Sequence, residues 1–128
     1  MQYEYFYGAQ AEQFSFYRIP KALFTEPNFR ELSTDAKVLY GILLDRMSLS
    51  LKNQWLDAQN KVYIIFTVDE IMDALNCANQ KATRLMGELE KQAGLIERKR
   101  QGLGRPNLIY VKNFAATING KSCEKGDS

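Results

Sequence analysis

Apolar side chains recur along this chain at helical spacing, then at strand spacing, then helical again, and the changes mark its elements. Between residues 33 and 53, Val38, Leu39, Ile42, Leu43 and Met47 return every three or four positions, which places them on one face of a helix. Ser33 suits the N-cap of that helix. Asp35 falls in its first turn, where a carboxylate meets the positive end of the dipole. The pattern fades over Ser48–Asn53. Trp55-Leu56 and Lys61–Phe66 then flank the turn formers Asp57-Ala58-Gln59-Asn60, which predicts strand, turn, strand.

Thr67-Val68-Asp69-Glu70 reads as a capping box, in which Thr67 and Glu70 each satisfy the other's backbone amide. Ile71, Met72 and Leu75 form the inner face of the short helix that follows. Asn76–Asn79 predicts a tight turn, because asparagine tolerates the left-handed conformation. The next helix turns Ala82, Leu85, Met86 and Leu89 inward and stops at Gly94. Leu95–Arg100 and Leu108–Val111 predict antiparallel strands. Gln101–Pro106 joins them, with positive φ at Gly102 and Gly104. Helix, turn, helix and hairpin in this order predict an α+β fold: a winged helix-turn-helix with a helical core, a small antiparallel sheet and a basic wing.

The ends read differently. Residues 1–13 interleave Tyr3, Tyr5, Phe6 and Tyr7 with polar side chains and cannot build a core alone. They are expected to form an aromatic arm that is flexible or docks on a partner subunit as a dimer interface. Phe14–Phe24 is apolar and extended up to Pro20, and is expected to cross the core as a strap. From Phe114 the chain turns small and polar. The expected organisation is an arm over 1–13, the winged-helix domain over 14–114, and over 115–128 the start of a linker to a C-terminal domain that is absent.

Composition narrows the function classes. With 128 residues, 45% hydrophobic and 25% charged, the chain is long enough for one domain with its own core. It carries neither a membrane-length apolar run nor a signal-peptide pattern, so a cytoplasmic location is expected. Cys77 and Cys123 are expected to be reduced thiols, with Cys77 a small buried packing residue. There is no histidine, which removes a Ser-His triad and any histidine metal site, and there is no Walker-type loop. The expectation is therefore no enzyme, no cofactor and no metal.

The net charge is only +2, but residues 1–78 hold 7 basic and 10 acidic side chains whereas residues 79–112 hold 8 basic and 3 acidic. Such a footprint fits either a polyanion or a solvated basic face. The residue types favour double-stranded DNA. The outward set of the second helix of the pair is Asn79, Gln80, Lys81, Thr83 and Arg84: amides suited to adenine, cations suited to guanine and a methyl suited to thymine. The wing offers Arg98, Lys99, Arg100, Gln101 and Arg105 toward the backbone. Thr67, at the start of its helix, is a further phosphate donor. Strand alternation puts Arg98 and Arg100 on one side and Lys99 on the other.

FYRIPKALF, LSTDAKVLYGILLDRMSLS, VYIIFTVDEIMDALNCANQKATRLMGELE and GLIERKRQGLGRPNLIYVKNF, in that order, resemble the N-terminal domain of the plasmid replication initiator A family of Gram-positive bacteria, from Phe14 to Phe114. The resemblance implies a sequence-specific domain that binds repeated sites in a plasmid origin as a dimer. It also implies a helicase-loading second domain that recruits replication machinery. DNA contacts carry over to the NQKATR helix and the RKRQGLGRP hairpin. Two other readings of the same architecture stay open: a transcriptional repressor at an operator, and a winged helix that meets another protein.

Overall fold

In the computed structural model, which describes residues 2–9 and 13–115, Pro20 ends the extended N-terminal segment. A one-turn helix α1 (Ala22–Thr25) and a 3-10 turn (Pro27–Phe29) follow. The central helix α2 (Thr34–Lys52) is capped by Ser33, whose Oγ accepts the Ala36 amide at 3.2 Å. It runs to Lys52, past the predicted fade, and Asn53 closes it by donating its amide to Leu49. Its buried side is broader than the periodicity implied. Ala36, Leu39, Tyr40, Ile42 and Leu43 are buried, while Val38 and Met47 sit at the rim.

The predicted strap is shorter than expected. It crosses α2 at Gly41, where a Cβ would lie 2.9 Å from both the Arg18 carbonyl oxygen and Ile19 Cγ1. Glycine is therefore required by close approach. Leu23 anchors the far end, fully buried. Phe14, Phe16 and Tyr17 remain exposed, because the chain reaches α2 only from Arg18 onward.

The strand-turn-strand expected over residues 55–66 is reduced to isolated bridges, Leu56 with Val62 and Ile64 with Ile109. The side chain of Asp57 takes amides that a longer ladder would have used: Oδ1 accepts from Gln59 and Lys61, each at 2.8 Å. Ile64 and Ile109 exchange both backbone hydrogen bonds at 2.9 Å. They add a one-residue third strand to the wing sheet.

Helix α3 (Val68–Leu75) carries the capping box as read from the sequence, and Asn76 ends it in the left-handed region at φ 52°. Helix α4 (Asn79–Gly87) continues through a π-helical turn (Glu88–Gln92) to Gly94, at φ +66°. Strands β1 (Ile96–Lys99) and β2 (Leu108–Val111) pair antiparallel, with Ile96 opposite Val111 and Lys99 opposite Leu108. The fold is thus a winged helix-turn-helix: α2, α3 and α4 pack on the small sheet around Leu39, Leu43, Ile64, Ile71, Leu85 and Ile109.

The chain beyond β2 returns to α2. Tyr40 donates its hydroxyl proton to the Lys112 carbonyl at 2.7 Å, and the Phe114 ring packs between Tyr40 and Phe29. Cys77 is half-buried against the core and unbonded. Cys123 and nearly all of the expected linker, residues 116–128, lie outside the described residues.

Candidate nucleic-acid interface

The outer face of α4 is set by its inner one. Ala82, Leu85 and Met86 are buried, and the helical repeat leaves Asn79, Gln80, Lys81, Thr83 and Arg84 exposed. Arg84 and Gln80 have no bonded partner among the described residues. Thr83 Oγ1 is 3.5 Å from Asn79 Oδ1, and Lys81 pairs with Asp35 at 2.7 Å. That pair is half-exposed, so it holds the ammonium without covering it.

The two glutamates at the end of this helical segment fix what lies around it. Glu88 accepts both the Ser33 amide, at 2.8 Å, and the Ser33 hydroxyl, at 3.0 Å, so it pins the start of α2 to the end of α4. Glu90 takes the Arg98 Nε and Nη2 on one oxygen, at 2.9 and 2.7 Å, and the Arg98 amide on the other. Burial works to raise the Glu90 carboxyl. The bonds and charge of Arg98 outweigh it and leave the group below its ordinary 4.5. The sequence pattern places Glu88 and Glu90 in the later half of the helix, away from the expected groove, but does not reveal these bonds. Their signal was acidic residues inside an otherwise basic stretch.

These bonds sort the wing residues. Arg98, half-buried with Ile96 on the inner side of β1, is spent on Glu90. Gln101 donates its side-chain amide to the Pro106 carbonyl at 2.8 Å and closes the neck of the wing. Lys99, Arg100 and Arg105 are exposed and carry no ion pair among the described residues. The expected grouping of Arg98 with Arg100 therefore does not hold, since Arg98 turns to Glu90 in the π-helical turn and Arg100 lies beyond the end of β1. Thr67 and Arg105 line a hollow of about 250 Å³ between α3 and the wing, together with Met86 and Arg98. Thr67 Oγ1 accepts the Glu70 amide at 3.2 Å, and Glu70 also pairs with Arg46 at 3.0 Å.

Behind the wing, Asp57 accepts the Tyr110 hydroxyl proton at 3.0 Å. The Lys61 amide, the largest influence, lowers the Asp57 carboxyl against an opposing effect of burial. Trp55 stacks on Tyr63 with ring centroids 6.3 Å apart. Tyr3, Tyr5, Phe6 and Tyr7 are all exposed, and Phe6 meets Phe14 edge-on at 5.9 Å. No group of three or more His, Cys, Asp or Glu among the described residues could hold a metal ion. No helix among them is long and apolar enough to cross a membrane.

A half-buried helix-turn-helix with its second helix bare and a cationic wing beside it defines a winged-helix domain of the nucleic-acid-binding kind. The family model for the N-terminus of replication initiator protein A (RepA) matches residues 15–125, and the chain belongs to that family. A 41 kDa protein of Lactobacillus helveticus is 33% identical over 103 residues, which is 80% of this chain and 28% of that protein. Two similar solved structures share 33% identity and a TM-score of 0.72. One is described as the N-terminal domain of a DNA binding protein (99% of this chain, 100% of that one), the other as a Rep–DNA complex (98% and 99%). A third, an MDR initiator, is 38% identical over 94% of this chain and all of its own, with a TM-score of 0.67.

Proposed function

We propose that this domain binds double-stranded DNA in a sequence-specific way at repeated sites of a plasmid replication origin, and that it works by binding rather than catalysis. The observation that carries the reading is the bare α4 face, where Gln80 and Arg84 stand exposed and uncommitted next to a wing with three free cations. Helix α4 enters the major groove. Asn79, Gln80, Lys81, Thr83 and Arg84 meet base edges. Lys99, Arg100 and Arg105 meet phosphates. Thr67 is not free to join them as the sequence led one to expect, because its amide, at 2.9 Å, and its hydroxyl, at 3.3 Å, both donate to Glu70 Oε1. Arg98 and Gln101 act one step back: Arg98 ties β1 to Glu90 in the π-helical turn, and Gln101 closes the neck of the wing on Pro106. That a similar structure is a Rep–DNA complex supports this assignment.

The exposed aromatics Tyr3, Tyr5, Phe6 and Tyr7 supply the contact for a homodimer, a reading supported by their clustering as large exposed apolar side chains over five residues. Because the chain spans 28% of its curated relative, recruitment of replication machinery falls to a further domain reached through residues 115–128. The setting is the cytoplasm. Selection of bound duplexes from a random pool, followed by mobility shifts on duplexes with one, two and four copies of the selected site, tests the whole reading. Stepwise filling of direct repeats is expected. A single palindromic site would make the protein a repressor, and no shift at low salt would leave only the protein-binding reading.

A further inference from the structure

The tip of the wing carries a leucine where solvent-exposed turns carry polar residues. Leu103 is 99% exposed, the most exposed large apolar side chain among the described residues. The turn that holds it is well defined. Arg105 donates its amide to the Gly102 carbonyl at 3.3 Å, and Gly104 sits at φ +78°, the value a type II turn requires at its third position. Gln101 closes the neck on Pro106. A Cβ at either Gly102 or Gly104 would meet nothing within 4 Å, so the backbone beside Leu103 is bare on both sides. The result is a thin blade with an apolar point. Arg100 and Arg105, both exposed, stand at its two shoulders.

We infer that Leu103 is an apolar wedge that enters the DNA minor groove and opens a base step there. The inference rests on the DNA-binding reading above. Arginines on both shoulders fit phosphates on the two groove walls. A leucine between them gains nothing from phosphate, because it has no donor. It gains from sugar faces and from an opened base step, which is how apolar side chains act in proteins that bend DNA through the minor groove. That groove is about 6 Å wide, which admits a blade of bare glycine backbone and excludes a broad loop. A protein partner is less well matched, because the leucine is a single apolar side chain on a segment that also presents the exposed Arg100 and Arg105. The wedge gives specificity where no base edge is read. Pyrimidine–purine steps open most easily, so they are favoured beside the α4 footprint.

The test uses the whole chain and a duplex recovered from a random pool with the wild-type protein. The duplex carries dyes at its ends and a fluorescent adenine analogue placed in turn at each step flanking the α4 footprint. Wild-type protein is expected to shorten the end-to-end distance and brighten the analogue at one step. Leu103→Ser is expected to abolish both signals and weaken binding roughly tenfold, the scale of one apolar side chain losing its contact. Leu103→Met is expected to keep them. The side chain touches nothing, so the variants fold alike, which circular dichroism checks. Equal affinity and equal bend for Leu103→Ser would overturn the proposal. So would unchanged binding to a single site with loss of stepwise filling on tandem sites, which would place the leucine on a neighbouring protein. If wild-type protein bound no duplex at all, the DNA-binding reading itself would fail, and that is visible without any variant.

Discussion

Arg84 shows how position and partners together decide what a side chain is free to do. Three residues before it, Lys81 carries the same charge on the same exposed face, yet Lys81 is held by Asp35 while Arg84 is bonded to nothing among the described residues. A planar guanidinium presented this way suits the two acceptors of a guanine edge. Arg84→Ala is expected to cost roughly 1–3 kcal/mol on the selected site and to relax preference at one base pair. Fluorescence anisotropy on the site and its single-base variants measures both, and equal binding by variant and wild type would remove Arg84 from the readout. Lys81→Ala is the natural comparison, since its ammonium must also give up Asp35.

At the level of elements, the wing is set by one carboxylate. The two Glu90 oxygens hold the backbone and the guanidinium of Arg98 together, so β1 cannot swing without breaking a charge-assisted fork. Glu90→Gln keeps the shape and removes the charge. It is expected to lower stability by about 1–2 kcal/mol in chemical denaturation and to speed amide exchange in β1. Because the folded Glu90 titrates below its ordinary value, its contribution is whole above about pH 4.5 and is lost as the pH falls through the lower folded pKa. The sequence made α3, its cap, the Asn76 turn and the outer face of α4 readable, since each depends on neighbours within a turn or two. Arg98 was read as a free cation because its partner's role depends on how β1 packs on the π-helical turn, which no local pattern encodes. The strands over 55–66 failed for a related reason: β-prone side chains were present, but Asp57 captured the amides. The strap was legible in kind and wrong in extent, since only Gly41 lets backbone lie on α2.

For the whole molecule, the closure between Tyr40 and Lys112 ties the exit of the hairpin to the central helix, with Phe114 and Phe29 packed beside it. Burial pushes the Tyr40 hydroxyl from 10.0 up to about 12. A tyrosine raised in this way adds stability that is whole below about pH 10 and is lost as the pH climbs toward 12. Denaturant melts across that range are expected to show the decline. Tyr40→Phe is expected to cost about 1 kcal/mol at neutral pH, the value of one hydrogen bond, and to flatten the alkaline decline. An unchanged alkaline slope in the variant would assign the loss to other groups.

The internal ties of Lys81 and Arg98 carry a thermodynamic consequence. Eight cations lie between residues 79 and 112, and a count of that kind would have eight condensed ions leave the duplex when the domain docks. Two of the eight already have carboxylates, Arg84 is directed at a base edge, and Lys99, Arg100 and Arg105 stand unpaired for the phosphates. With about 0.9 ion released per phosphate neutralised, the logarithm of affinity per domain should fall with that of salt at a slope near −3 rather than about −7. The domain would then hold its site across a wider range of ionic strength than its basic residues suggest.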